Sequence, residues 1–319
     1  MKISVLGCGR WGSFVTWYLS NQGHDVVEWG REDGKSYNIL KTTGKNDYVT
    51  LNSKVKLTSN LKEAVLHAEL IVVSVLSQSL REVLNSAKEY GAINKNLLLC
   101  MKGLEESSGK RLTEVCIDCG YDKDKVAVWL GPGHIEEFTS GKPNCMVIDS
   151  YNKNLTKFLA DSLRSDLIRF YYGDDIIGNE IGGASKNVIG IAAGMLDGGG
   201  YSSLKGPLMA RGAREIGRLI KKMGGNELSA YGLCHLGDYE TTLFSKYSQN
   251  RCYGEAFIKG ENFVKSAEGV KTVKALKLLG EMYDEELPIC NALYSILYEN
   301  SEPMETFNKL FSRSSRKEF

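Results

Sequence analysis

The sequence predicts an α/β fold: a doubly wound, mostly parallel sheet fills the first half, and an all-α second half follows. Three observations carry this. Short apolar runs such as Leu70–Leu76 alternate with helical patterns up to about residue 172, as strands buried on both faces require. A glycine-rich turn, Gly7-Cys8-Gly9-Arg10-Trp11-Gly12, directly follows the first such run. From Gly173 the strand pattern stops, and apolar residues recur at helical spacing.

Taken in order, Lys2–Leu6 reads as a strand, Trp11–Gln22 as a helix, Asp25–Trp29 as a strand, Leu61–Ala68 as a helix and Leu70–Leu76 as a strand. Further strands are expected at Leu97–Met101, Val126–Leu130, Cys145–Asp149 and Leu167–Tyr171, with helices at Ser79–Tyr90 and Lys110–Cys119 between them. Leu208–Met223, Val270–Tyr283 and Ile289–Tyr298 are the clearest helices of the second half. The expected division is therefore a dinucleotide-type domain at residues 1–172 and a helical domain at 173–319. The tail from Ser312 to Phe319, with Arg313, Arg316 and Lys317, reads as frayed surface.

The chain has 319 residues, and 42% apolar with 25% charged residues is a globular composition. At roughly 150 residues per domain this length admits two domains. Forty basic residues against 39 acidic ones leave a formal charge of +1, so no global field steers the protein onto nucleic acid or acidic lipid. The longest apolar runs are too short to span a bilayer, and Met1–Gly7 lacks a secretory pattern. A soluble cytoplasmic protein is expected. Eight cysteines are scattered, and the one C-x-x-C pair, Cys116 and Cys119, has no second pair to complete a zinc site. Free buried thiols and no metal are expected.

The G-x-G-x-x-G at residues 7–12 lies between a strand and a helix, where its chemistry works. The first glycine permits a tight turn, the second lets backbone approach a pyrophosphate, and the third allows close helix–strand packing at a positive helix end. After the second strand the chain reads Val27-Glu28-Trp29-Gly30-Arg31-Glu32. A carboxylate there suits the ribose hydroxyls of NAD(H), and a cation suits the 2′-phosphate of NADP(H). Glu28 and Glu32 favour the first; Arg31 tilts the expectation toward NADP(H).

Three further segments gather polar groups among glycines. Lys102, in Met101-Lys102-Gly103-Leu104-Glu105, follows a strand and so stands at a carboxyl edge, where ligands collect. Lys186 and Asn187 sit on a glycine-rich helical segment, and Asp238 with Ser248-Gln249-Asn250-Arg251 adds a carboxylate and amides. With these segments in this order, the sequence resembles the bacterial-type NAD(P)-dependent glycerol-3-phosphate dehydrogenases over essentially its whole length. The shared motifs include Ser77-Gln78, Gly131-Pro132, Lys186-Asn187-Val188-Ile189, Leu236-Gly237-Asp238, Glu268-Gly269-Val270 and Leu287-Pro288-Ile289-Cys290.

That resemblance implies a Rossmann domain followed by a helical one, and a homodimer. It implies reversible hydride transfer between a nicotinamide and dihydroxyacetone phosphate, giving sn-glycerol 3-phosphate for glycerophospholipid synthesis. Lys186 matches the family's catalytic lysine, Asp238 the group that holds it, and Lys102 a residue contacting both substrate and cofactor. Substrate-side positions fall on Gly131, Gly133, Asn187, Asp238, Thr242, Ser248, Gln249 and Asn250. Cofactor-side positions fall on Gly7, Gly9, Arg10, Trp11, Gly12, Arg31, Lys102 and Glu268.

Four departures stand out. Gly133-His134 replaces a hydroxyl residue and a phenylalanine, His235 a glycine, Gln249 the arginine expected on the phosphate, and Arg10 a small residue. A charge-assisted hydrogen bond is worth about 1.5–3 kcal/mol, so Gln249 alone predicts a phosphate held roughly ten- to a hundredfold more weakly. Lys246, Lys205 and Arg251 are the cations near enough in sequence to compensate. His134 and His235 read equally as packing residues. Two alternatives stay open: the same hydride chemistry on a different ketone or polyol phosphate, and a non-catalytic dinucleotide-sensing paralogue. Lys102, Lys186, Asn187 and Asp238 together weigh against the sensor, which has no need of a buried proton donor.

Overall fold

In the computed structural model, which describes residues 1–314, strands and helices alternate up to Tyr172. They are β1 (Lys2–Leu6), α1 (Arg10–Asn21), β2 (Asp25–Trp29), α2 (Lys35–Thr43), β3 (Lys56–Thr58), α3 (Leu61–His67), β4 (Leu70–Val73) and α4 (Leu80–Lys88). The series continues with β5 (Asn96–Leu99), α5 (Leu112–Asp118), β6 (Val126–Leu130), α6 (Ile135–Thr139), β7 (Asn144–Ser150), α7 (Lys153–Leu163) and β8 (Ile168–Tyr172). The eight strands form one sheet in the order β3-β2-β1-β4-β5-β6-β7-β8. β1 to β6 are parallel. The order reverses between β1 and β4, which opens a crevice at their carboxyl ends.

β7 runs antiparallel to β6, and β8 parallel to β7. The segment joining β6 to β7 holds only a five-residue helix, which stays at the carboxyl end of β6 instead of crossing the sheet, so the next strand turns back. Alternation along the strands feeds both faces. Leu6, Val27, Ile71, Val73 and Leu97 pack toward α3, α4 and α5, while Ile3, Val5, Val72, Leu98 and Trp129 meet Phe14 and Leu19 of α1 and Leu159 of α7.

Beyond residue 172 only helices follow among the described residues: α8 (Ile176–Gly198), α9 (Lys205–Lys222), α10 (Gln249–Lys259), α11 (Glu268–Met282), α12 (Pro288–Tyr298) and α13 (Pro303–Phe311). α8 is buried along most of its 23 residues. A Cβ at Gly194 would overlap the Arg251 carbonyl, and one at Gly254 the Ile191 carbonyl. Glycine therefore lets the α8 and α10 backbones touch. α9, α11 and α12 close a second core around α8 through Ile216, Leu219, Val273, Leu276 and Leu293. Between α9 and α10 the chain makes short turns at Leu236–Asp238 and Glu240–Phe244, the second of π type, a geometry common at functional sites.

The expected strand Leu70–Leu76 ends at Val73, because Ser74–Leu76 leave the sheet to pass beside Gly7. α2, β3, α6, α7, α10 and α13 lie where no element was expected, and Gln249–Arg251, expected as loop, opens α10; β3 has only three residues and is too short to show a period. Cys116 and Cys119 are buried in and just after α5. No helix among the described residues is long and apolar enough to cross a membrane. Of the expected frayed tail, Arg313 pairs with Glu286, and residues 315–319 lie outside the described residues.

Candidate active site

A cleft of about 770 Å³ opens over the carboxyl ends of β1, β2, β4 and β5. The glycine turn forms its floor. Gly7 adopts φ +115°, where a side chain is strained, and its amide donates to the Trp29 carbonyl at 2.9 Å. Gly9 lines the cleft, and a Cβ there would meet no protein atom within 4 Å. A Cβ at Gly12 would overlap the Gly7 carbonyl. No side chain caps α1, so its first N–H groups face the cleft without a capping acceptor. An open glycine face beside an uncapped helix start fits a pyrophosphate. Trp11 packs beneath the turn, its ring 5.0 Å from Phe14 and 6.5 Å from Trp129.

At the far end of the cleft, Gly30 and Arg31 stand on the loop after β2, and Lys35, Ser36 and Tyr37 open α2. Glu28 corrects an expectation. It is fully buried, and neither carboxylate oxygen has a hydrogen-bond partner. Burial pushes its carboxyl up to about 8, with Ser13 and Thr16 of α1 opposing. Its place one residue before the strand end turns it onto the face that α1 covers, away from any ribose. Glu32 is exposed and does not line the cleft.

At the near end, the Lys102 Nζ donates to Asp238 Oδ2 at 2.7 Å and to the Gly131 carbonyl at 2.5 Å. Lys186 Nζ reaches the same Oδ2 at 3.0 Å and donates to the Thr242 hydroxyl at 2.7 Å. Two ammonium groups thus share one fully buried carboxylate. Burial pushes Lys186 down to about 8, opposed by Asp238 and reinforced by Lys102. Burial would raise Asp238, but the two lysines and the Thr241 hydroxyl outweigh it and hold its carboxyl below the usual range.

Asn187 and Asn250 brace this end. Asn187 donates to the Lys102 carbonyl at 3.0 Å, Asn250 donates to Asn187 Oδ1 at 3.0 Å, and the Gly269 amide donates to Asn250 at 2.9 Å. Both asparagines line the cleft while tying α8, α10 and α11 to the Lys102 loop. Ser248 caps α10 by accepting from the Arg251 amide. Glu268 begins α11 and accepts from Ser77 at 3.4 Å; burial raises its carboxyl.

The four departures separate. His235 is buried, its Nδ1 2.9 Å from the Gly182 carbonyl and its Nε2 2.7 Å from the Tyr239 hydroxyl. Burial pushes it down to about 4, so it is a neutral packing group outside the cleft. Gly133 has φ +154°, and a Cβ there would overlap the Phe138 ring. That ring occupies the space a hydroxyl side chain would need. Gly133→Ser is therefore expected to cost ~1–3 kcal/mol, as overpacking does, read as a lowered urea midpoint. His134 lines the cleft against Tyr247, its ring centroid 5.5 Å away, and its Nε2 has no partner.

Arg10 and Gln249 come together. Gln249 Nε2 donates to the Tyr247 carbonyl at 3.2 Å, and Arg10 Nη1 lies 3.5 Å from the same oxygen. The Arg10 Nη2 bridges both oxygens of Glu136 at 2.8 and 2.7 Å, and its guanidinium lies over Tyr48. The cations expected to compensate for Gln249 do not line the cleft. Arg251 and Lys205 both pair with Asp197, and Lys246 lies over the Tyr247 ring. Lys35, Thr241 and Tyr247 were missed as cleft residues; only Lys35, four residues past Arg31, carried a signal, as a second cation shortly after β2.

A parallel sheet with a glycine phosphate turn at its switch point, joined to a helical half that supplies a buried lysine, defines a two-part nicotinamide-type dehydrogenase. The chain matches the N-terminal family model of NAD-dependent glycerol-3-phosphate dehydrogenase over residues 2–156 and the C-terminal one over 175–308. It belongs to that family. It is 36% identical to glycerol-3-phosphate dehydrogenase [NAD(P)+] of Fusobacterium nucleatum over 331 residues, covering 100% of this chain and 98% of the relative. It is 34% identical to the protein of that name from Thermoanaerobacter sp., covering 100% and 99%. The solved glycerol-3-phosphate dehydrogenase (gpsA) of Coxiella burnetii superposes with TM-score 0.90 at 27% identity, covering 98% of each chain.

Proposed function

We propose that this protein reduces dihydroxyacetone phosphate to sn-glycerol 3-phosphate with a reduced nicotinamide dinucleotide, reversibly. The observation that carries the reading is the single buried Asp238 carboxylate shared by Lys102 and Lys186 at the cleft's near end. The cofactor, when bound along the glycine turn, supplies the hydride. Lys102 polarises the ketone oxygen, and Lys186 protonates it as negative charge develops. Asp238 keeps both lysines aimed at one point, and Thr242 fixes the Lys186 ammonium. Asn187 and Asn250 hold the substrate side of the cleft, with Ser248 and Gln249 at the start of α10. Glu268 and Ser77 close the cofactor side.

With Glu28 withdrawn, Arg31 and Lys35 are the cations at the far end of the cleft, against the one carboxylate of Glu82 on α4, and this favours NADP(H). Arg31→Ser is expected to raise the KM for NADPH about tenfold, a change of ~1.4 kcal/mol, and to leave that for NADH unchanged. Equal effects on both would remove the 2′-phosphate role. The same reading divides the chain at residues 1–172 and 173–319, and places it in the cytoplasm as a homodimer acting on a small phosphorylated substrate, without nucleic acid or membrane insertion. The deciding experiment follows cofactor absorbance with both reduced nucleotides against dihydroxyacetone phosphate, free dihydroxyacetone and other ketose phosphates. Oxidation of cofactor only with a different ketone overturns it.

A further inference from the structure

Two residues far apart in sequence meet at one carbonyl. Arg10 leads α1, Gln249 leads α10, and both reach Tyr247. Around that carbonyl, three buried polar atoms have no partner: Arg10 Nε, His134 Nε2 and Gln249 Oε1. Buried polar atoms without partners cost on the order of 1–3 kcal/mol each, and the two nitrogens among these three are the ones an acceptor on a ligand would meet. Glu136 occupies only the Nη2 edge of the guanidinium. Nε has no partner, and Nη1 has only the 3.5 Å contact with the Tyr247 carbonyl. An anion is the ligand that this cation suits, because guanidinium N–H groups make charge-assisted hydrogen bonds to phosphate oxygens.

We propose that Arg10 takes the part of the phosphate-binding cation that position 249 lacks, so that the substrate's phosphate is held from the start of α1 as well as from α10. This rests on the functional reading above. Gln249 then serves as a neutral neighbour whose amide borders the anion, and His134 presents Nε2 to it from α6. Arg10 is a specificity-determining residue under this assignment, and it contributes nothing to proton transfer.

The test compares wild type, Arg10→Ala, Glu136→Gln and the double variant Arg10→Ala/Gln249→Arg on dihydroxyacetone phosphate and on free dihydroxyacetone. Arg10→Ala is expected to raise the KM for the phosphorylated substrate by about ten- to a hundredfold, the range of one charge-assisted hydrogen bond, with a much smaller change in kcat/KM for free dihydroxyacetone. Gln249→Arg in the same chain is expected to restore the phosphorylated substrate. Glu136→Gln keeps a partner for Nη2 and removes a negative charge, so that KM is expected to hold or fall. If Arg10 only clamps α1 to α6, Glu136→Gln raises KM as Arg10→Ala does, and the proposal fails. It also fails if Arg10→Ala changes only the NADPH KM, or affects both ketones equally. A wild-type protein inactive on dihydroxyacetone phosphate overturns the functional reading itself, whereas an active one with an unchanged preference in Arg10→Ala overturns this inference alone.

Discussion

Lys186→Ala is expected to lower kcat for ketone reduction by about 10²–10⁴-fold, the contribution of a positioned general acid, while the dissociation constant for NADPH stays at its wild-type value. The asymmetry follows from where the side chain lies. Lys186 touches Asp238 and Thr242 at the near end, whereas the glycine turn and Arg31 stand along the rest of the cleft. Lys186→Arg separates charge from proton transfer: a guanidinium keeps the charge but does not release its proton in this range, so it too should be nearly inactive. Fluorescence titration of NADPH beside stopped-flow turnover reads both quantities. A Lys186→Arg enzyme with wild-type kcat would make the lysine an electrostatic group alone.

The same residue sets the pH dependence. Burial brings Lys186 down to about 8. Reduction needs the ammonium form, so its rate is expected to fall as pH rises through about 8, and the reverse oxidation, which needs the free amine, to rise over the same interval. Asp238→Asn removes the charge that opposes burial and leaves the Lys102 charge that reinforces it. Both effects favour the free amine, so the reduction limb should move to lower pH. A limb that stays in place in Asp238→Asn would assign it to another group.

Much of this site was legible because its chemistry is tied to local pattern. The turn at Gly7–Gly12 announces itself by spacing, and Lys102 by following a strand, since strand ends in a parallel sheet all open onto one edge. What failed were questions of direction. Glu28 and Arg31 are three residues apart, yet one points under α1 and the other into the cleft; strand alternation fixes the side of the sheet each takes, but the sequence does not say which side α1 covers. Arg10 and Gln249 each stood out as a departure. That they meet could not be read, because Tyr247 lies 237 residues from Arg10 and only the packing of α10 on α8 brings it there. Of the three cations expected to compensate, Arg251 and Lys205 proved to be committed to Asp197, which is a fact about folding alone.

Glu180→Ala is expected to destabilise the protein by ~3–5 kcal/mol, the cost of breaking a buried ion pair from one side. Arg111, at the start of α5, and Glu180, in α8, are each about 4% exposed at their side chains. Glu180 accepts from Arg111 Nη1 at 2.7 Å and from the Thr113 amide at 2.9 Å. The pair therefore ties the sheet-bearing half to the helix that carries Lys186. Without Glu180, the buried guanidinium keeps Glu114, Tyr151 and Thr113 but loses its most buried counter-charge. Against a typical net stability of roughly 5–15 kcal/mol, that is about a fifth of the total or more. Arg111→Met/Glu180→Leu is expected to recover most of the loss, because a buried pair replaced by apolar groups of similar volume is often neutral. Urea midpoints of Arg111→Met, Glu180→Leu and the double variant, each against wild type, give the coupling energy. If the double variant is as unstable as the sum of the singles, the two side chains contribute independently, and the ion pair is not what joins α5 to α8.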